Sequence, residues 1–151
     1  MSASRHDARF VVRALSERDL EQVPRVWVES GLPYRPKGRD APEGLKSQLR
    51  RDPDLFFGAF DGPRMIGVVI ATDDGRKGWI NRLAVLPSHR RKGVGKALVN
   101  ACEEALRRRG RGVFSMLIEG ENDASESLFL KAGYRSEHHI RYYAKRDSEE
   151  T

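Results

Sequence analysis

The spacing of apolar positions changes several times along this chain, and each change marks an element. Phe10, Val11, Val12 and Ala14 form a short β-prone run, so a strand is expected over Phe10–Ala14. Leu20, Val23, Trp27 and Val28 recur at helical spacing as far as Gly31, behind a candidate N-cap at Ser16 with Asp19 three residues on. Pro24 inside that helix predicts a kink, because proline lacks the N–H a helix interior needs. Leu32–Pro42 is rich in Pro, Gly and Arg and reads as a loop; Pro42–Arg51 reads as a second helix. Leu55–Phe60 and Met65–Thr72 are apolar and β-rich around Asp61-Gly62-Pro63-Arg64, a hairpin signal. Asp73–Gly78 reads as a further turn, with Asp73 and Asp74 as turn residues, and Trp79–Val85 as a third strand of an antiparallel meander.

After Pro87 the period becomes helical. Val94, Ala97, Leu98, Ala101, Cys102, Ala105 and Leu106 line one face, with Gly110 as the stop. Val113–Ile118 follows as a strand, then a helix from Asp123 to Gly133, then a final strand over His138–Ala144. The order β-α-α-β-β-β-α-β-α-β predicts an α+β, or mixed α/β, sheet. Length adds that 151 residues suit one domain, with about residues 10–145 ordered. The longest nearly pure apolar run, Met65–Ala71, is far short of the ~20 residues a membrane span needs. No secretory signal pattern is present, which makes the cytoplasm the expected location. One cysteine excludes an internal disulfide framework, and the four histidines have no zinc-ligand spacing, so no metal is expected. Lys and Arg outnumber Asp and Glu by 28 to 22, a formal charge of +6 that admits an anionic partner.

One segment gives that charge a location. Between the strand ending at Val85 and the helix opening at Val94 lies Leu86-Pro87-Ser88-His89-Arg90-Arg91-Lys92-Gly93, followed by Gly95 and Lys96. Two glycines let backbone N–H groups converge, a helix N-terminus adds a partial positive charge, and Arg90, Arg91, Lys92 and Lys96 add full ones. That combination suits a phosphate or pyrophosphate. It is not a nucleotide P-loop, because Ala97 follows Gly95-Lys96 and Arg90 stands at the first glycine position. The dinucleotide fingerprint fails as well, with Leu98 at its third glycine.

Arg90-x-x-Gly93-x-Gly95 behind Leu83-Ala84-Val85-x-Pro87 resembles the acetyl-CoA motif of the GNAT superfamily of N-acetyltransferases. A second block, Asn122-x-x-Ser125-x-x-Leu128-Phe129-x-Lys131-x-Gly133-Tyr134, resembles that family's signature around its fourth helix, in the family's order. The resemblance spans about Phe10 to Lys145. It implies a central, mostly antiparallel sheet of six to seven strands with a splayed parallel pair, flanked by four helices. It implies that the pantetheine arm of acetyl-CoA lies along Leu83, Ala84 and Val85, and that its pyrophosphate meets Arg90, Arg91, Lys92, Gly93, Val94, Gly95 and Lys96. Asn122, Ser125 and Phe129 would complete the cofactor site. The backbone N–H of Leu83 would steady the oxyanion.

Two departures stand out. Trp79–Leu83 holds no carboxylate, so Glu119 and Glu121 are the best candidates for the base that accepts the amine's proton. Phe129 stands where family members often carry a tyrosine acid for the leaving sulfur. The function expected is acetyl transfer from acetyl-CoA to a primary amine of a small molecule or peptide, by direct attack in a ternary complex. The alternative is an acyl-CoA-binding module with little catalysis. A homodimer is common in the family; nucleic acid is a weaker reading, since no aromatic platform or base-reading motif accompanies the basic residues. Tyr34, Arg35, Lys37 and Arg39, in the loop where family members bind the acceptor, disfavour polyamines and favour an amine that also carries a carboxylate or phosphate.

Overall fold

The computed structural model describes residues 9–118 and 122–151. Its centre is β3 (Arg64–Asp73), in which seven consecutive residues, Met65–Ala71, are buried. A strand with neither face exposed must be covered on both sides. The described residues form four helices, α1 (Val23–Ser30), α2 (Pro42–Arg51), α3 (Val94–Arg108) and α4 (Asp123–Lys131), of which α1 and α3 pack on β3. β1 (Val11–Ala14) pairs antiparallel with β2 (Phe56–Asp61), and β2 pairs antiparallel with β3. The β2–β3 connection pairs Asp61 with Arg64, leaving Gly62 and Pro63 as a two-residue loop; Gly62 adopts φ 60°, which a tight hairpin requires there. β4 (Gly78–Ile80) continues antiparallel on β3, and β6 (Phe114–Met116) lies parallel to β4. Among the described residues the sheet, with β5 (Ala84–Val85), has six strands, mostly antiparallel, with one parallel pair.

The helices follow their apolar faces. α3 buries Val94, Leu98, Val99, Cys102, Ala105 and Leu106 on the sheet, at the spacing that its sequence predicts. Gly78 is where it comes closest, since a Cβ there would collide with Leu106. Past its last turn, Arg109 binds Asp52, Asp54 and Asp73 at 3.1, 2.5 and 3.4 Å, and Arg111 binds Asp73 at 2.7 Å. This network ties the helix end to β3 and to the turn before β2. It holds Asp54 and Asp73 below the usual carboxylate range, chiefly through the arginine hydrogen bonds.

Three expectations need correction. Pro24 does not kink a helix. Residues Glu17–Gln22 form a 3₁₀ turn, and the α-helix starts at Val23, so Pro24 sits in a first turn where no N–H is required. α4 begins at Asp123 as expected, behind an N-cap at Asn122, whose Oδ1 accepts from the Ser125 N–H at 3.1 Å. Trp79–Val85 is not one strand but two. Residues His138–Ala144 form no strand; Ile140, Tyr142 and Tyr143 are exposed, and β propensity without a paired neighbour gives no ladder.

Candidate active site

The break between β4 and β5 opens the site. Ile80 pairs with Ala71 and Ala84 with Val68, so three residues, Asn81–Leu83, face two on β3, Val69 and Ile70. That is a β-bulge, and it bends the strand. β4 is held by β6 only as far as Ile80 opposite Met116; beyond it β5 pairs with β3 alone. The parallel pair has therefore splayed. Asn81 N–H donates to Ile70 O at 3.0 Å and Leu86 N–H to Ile66 O at 2.9 Å. Antiparallel alternation then turns the Leu83 and Val85 main-chain groups away from β3, toward the open edge. The site is a strand edge at which the Leu83 main chain and the Val85 N–H face a gap.

The glycine loop adjoins this edge. Arg91 adopts φ 63° and Gly93 φ 82°, a left-handed pair that reverses the chain before α3. Arg91 pays the strain a side chain meets there, and Gly93 avoids it. No side chain among the described residues caps α3, and Ala97 N–H donates to Gly93 O at 3.0 Å. The N–H groups of Val94, Gly95 and Lys96 are thus unsatisfied by the helix, and the macrodipole adds positive potential. Arg91, Lys92 and Lys96 are exposed and bind no carboxylate among the described residues. Arg90 differs, because its Nε donates to Val85 O at 3.2 Å and its Nη2 to Ser30 O at 3.1 Å. Its guanidinium braces the loop against β5 and the end of α1.

On the other side of the gap, the bulge presents Arg82 to the 31–41 loop. Arg82 Nη2 donates to Pro33 O at 2.6 Å and to Asp40 Oδ2 at 3.2 Å, and its guanidinium lies 4.3 Å over the Trp27 ring. Asp40 is buried and also accepts the Arg35 N–H at 2.7 Å. Tyr34 packs against Trp27 with ring centroids 5.8 Å apart. Sequence reasoning missed this latch. The Arg82–Asp40 pair spans 42 positions and has no local signature, although an Arg beside the bulge and a lone Asp in a cationic loop are both visible in the sequence.

The remaining candidates are distributed unequally. Asn122 caps α4, and Ser125 supplies the N–H it accepts. Phe129 is buried, edge-on to Tyr134 at 5.0 Å. Tyr134 donates its hydroxyl to Glu103 at 2.6 Å; burial, then that bond, pushes its pKa well above the usual tyrosine range. Neither ring offers a proton to the gap. Cys102 is fully buried, and burial drives its thiol far from ionisation, so it is no nucleophile. Asp73 and Asp74 do turn work, accepting from Gly75 and from Arg76 and Lys77. Glu119 and Glu121 lie outside the described residues. Among the described residues, no helix is long and apolar enough to cross a membrane.

The sequence model of the acetyltransferase (GNAT) family matches residues 16–134. The chain belongs to the GNAT acetyltransferase family. An acetyltransferase of Sodalis glossinidius is 30% identical over 135 residues, covering 89% of this chain and 94% of its own. One from Pectobacterium atrosepticum is 30% identical over 125 residues, covering 83% and 87%. Among solved structures, the PaiA N-acetyltransferase of Thermoplasma acidophilum in complex with coenzyme A has a TM-score of 0.74 at 24% identity, covering 85% of this chain and 91% of its own. The aminoglycoside enzyme AAC(6')-Iy, in complex with a bisubstrate analogue, has a TM-score of 0.75 at 20% identity, covering 92% and 99%. Membership makes this GNAT protein an acyltransferase, and its six-stranded sheet with a splayed parallel pair is the architecture the resemblance implied.

Proposed function

We propose that this GNAT protein transfers the acetyl group of acetyl-CoA to a primary amine of a small molecule or peptide, by direct attack within a ternary complex. One observation carries the reading. The open edge at Leu83 and Val85 lies beside a helix start that, among the described residues, has uncapped N–H groups and three cations without a carboxylate partner. An extended amide-bearing arm can hydrogen-bond along Leu83, Ala84 and Val85 as an added strand does. The pyrophosphate that follows it meets the amides of Gly93, Val94, Gly95 and Lys96 and the charges of Arg91, Lys92 and Lys96. Arg90 serves by holding this loop to β5. Asn122 and Ser125, through the α4 cap, and Phe129, through packing, shape the far wall.

In the reaction, the amine nitrogen bonds to the thioester carbonyl carbon and the carbon–sulfur bond breaks. The amine, with a free pKa near ~10, must first lose a proton, and Glu119 or Glu121 is the assigned acceptor. The Leu83 N–H would stabilise the oxyanion. A thiol of pKa ~8.5 leaves as the thiolate, so no acid at position 129 is required. Calorimetry with acetyl-CoA, and its displacement by free CoA, tests the site; absence of binding overturns it. Phe129 and the engaged Tyr134 hydroxyl favour a second reading, a CoA-binding module without turnover. CoA release over a panel of amines separates the two.

A further inference from the structure

The acceptor side of the gap holds charge that the fold does not use. The guanidinium of Arg35 makes no hydrogen bond or ion pair with any described residue, and its Nε is shielded from solvent without a partner. A dry, unpaired guanidinium N–H is costly unless something binds it. Lys37 and Arg39, two and four residues on, are exposed and have no carboxylate partner among the described residues. The acids near them in sequence are committed elsewhere. Asp40 is occupied by Arg82 and by the Arg35 main chain, Glu29 pairs with Arg25 and Arg64, and Glu43 pairs with Lys46. The loop is held in place, because Arg82, one residue before Leu83, anchors it at Pro33 and Asp40. Its backbone is therefore held beside the bulge that carries Arg82.

A second observation bears on the ligand such a loop takes. The main chain of Glu150 and Thr151, which follow Asp147, Ser148 and Glu149, lies against it, so closely that a Cβ on Gly38 would collide with the Glu150 carbonyl and lie 3.1 Å from the Thr151 Cα. None of these acids forms an ion pair with the loop. An acidic stretch of the chain thus reaches the loop through its main chain without neutralising the loop's cations.

We propose that the Arg35–Arg39 loop is an anion subsite for the acceptor, which is an amine that also carries carboxylates: an acidic amino acid or a peptide with acidic residues beside its free amine. The segment Asp147–Glu150 competes for the same subsite. This rests on the acetyl-transfer reading above. Like-charged amines are turned away, and the carboxylates bring the amine to the gap in one orientation.

The test uses the full chain and three probes: free glutamate, the peptide Ala-Glu-Glu-Gly, and its isostere Ala-Gln-Gln-Gly. Calorimetry with the CoA-loaded protein should show at least one acidic probe binding tenfold or more tighter than the Gln isostere. Which acidic probe binds separates the small-molecule source from the peptide one. The preference should fall below twofold in K37Q/R39Q, where both side chains are exposed, and should grow in E149Q/E150Q as the internal competitor is weakened. CoA-release kinetics should rank the probes in the same order. Equal binding of acidic and Gln probes, or a preference that survives K37Q/R39Q, overturns the proposal. Loss of acetyl-CoA binding overturns the cofactor reading instead, and K37Q/R39Q should leave that affinity unchanged.

Discussion

Gly95 is the position at which the cofactor assignment can be broken without breaking the fold. It is the second residue of α3, and a Cβ there would lie 2.9 Å from Leu128 Cδ2 and 3.9 Å from Val85 Cγ2, between the open strand and α4. In Gly95→Ala the Leu128 methyl, at the end of a flexible and partly exposed side chain, must give way, which costs about 1 kcal/mol, the low end for overpacking. Replacing a helical glycine with alanine returns about 1 kcal/mol, so the two nearly cancel and Tm should move by less than about 4 °C. Gly95→Glu adds a carboxylate to the same place. A negative charge about 5 Å from a diphosphate charge costs about 3 kcal/mol at an effective dielectric of about 20. That corresponds to a loss of more than about 100-fold in affinity at low salt. Screening at physiological salt roughly halves the energy, leaving a loss of at least about tenfold. Calorimetric titration of acetyl-CoA into wild type, Gly95→Ala and Gly95→Glu at two salt concentrations reads this directly. A folded Gly95→Glu protein with a Kd within threefold of wild type at low salt would refute the placement of the pyrophosphate.

Three further outcomes are expected. Arg109→Gln leaves Asp52, Asp54 and Asp73 without their shared cation in a partly buried network. It should cost about 2–3 kcal/mol and lower Tm by about 5–10 °C; a change below 2 °C in a thermal scan would count against the network. Asp19, bound by Arg13 at 2.8 Å and by the Ser16 N–H at 2.7 Å, has its pKa lowered from 3.8 to about 2, chiefly by Arg13. Its folded pKa is depressed, so its contribution is present above pH 4 and lost as pH falls through 2. Half-exposed Arg13 reduces that contribution to about 1–2 kcal/mol, and the stability gap between wild type and Asp19→Asn in urea should close between pH 4 and 2. Phe129→Tyr puts a hydroxyl into a buried site at a cost of about 1–3 kcal/mol, and kcat should not rise if the thiolate leaves unaided. A tenfold increase in kcat would show that the missing acid limits the rate.

What could be foreseen in the sequence divides along the range of the interactions concerned. α3, the turn at Asp73–Gly78, the hairpin at Gly62 and the glycine loop depend on residues a few positions apart, and their spacing shows in the chain. The bulge at Asn81–Leu83 does not, because one extra residue in a strand is defined only by the register of its partner, β3. The latch from Arg82 to Asp40 and Trp27 follows from that bulge and was hidden with it. His138–Ala144 has strand composition, yet composition supplies no edge to pair with.

The basic loop shows the same division at the level of single side chains. In sequence, Arg90, Arg91, Lys92 and Lys96 form one cluster of equivalent charges. The backbone separates them: Arg90 stands before the left-handed pair at 91 and 93, and its guanidinium reaches the carbonyls of Val85 and Ser30. Those two carbonyls belong to β5 and the end of α1, so Arg90 fixes the loop between the strand edge and the acceptor side. Its neighbours follow the reversal and stand at the uncapped start of α3, with no carboxylate among the described residues to neutralise them. A guanidinium that spends its donors on two carbonyls cannot also make a bidentate contact with a phosphate. Arg90→Lys should therefore weaken acetyl-CoA binding by loosening the loop while leaving the salt dependence of the affinity as it is. Lys92→Gln and Lys96→Gln should each flatten that dependence. A flattened slope in Arg90→Lys would return Arg90 to the phosphate and undo the division.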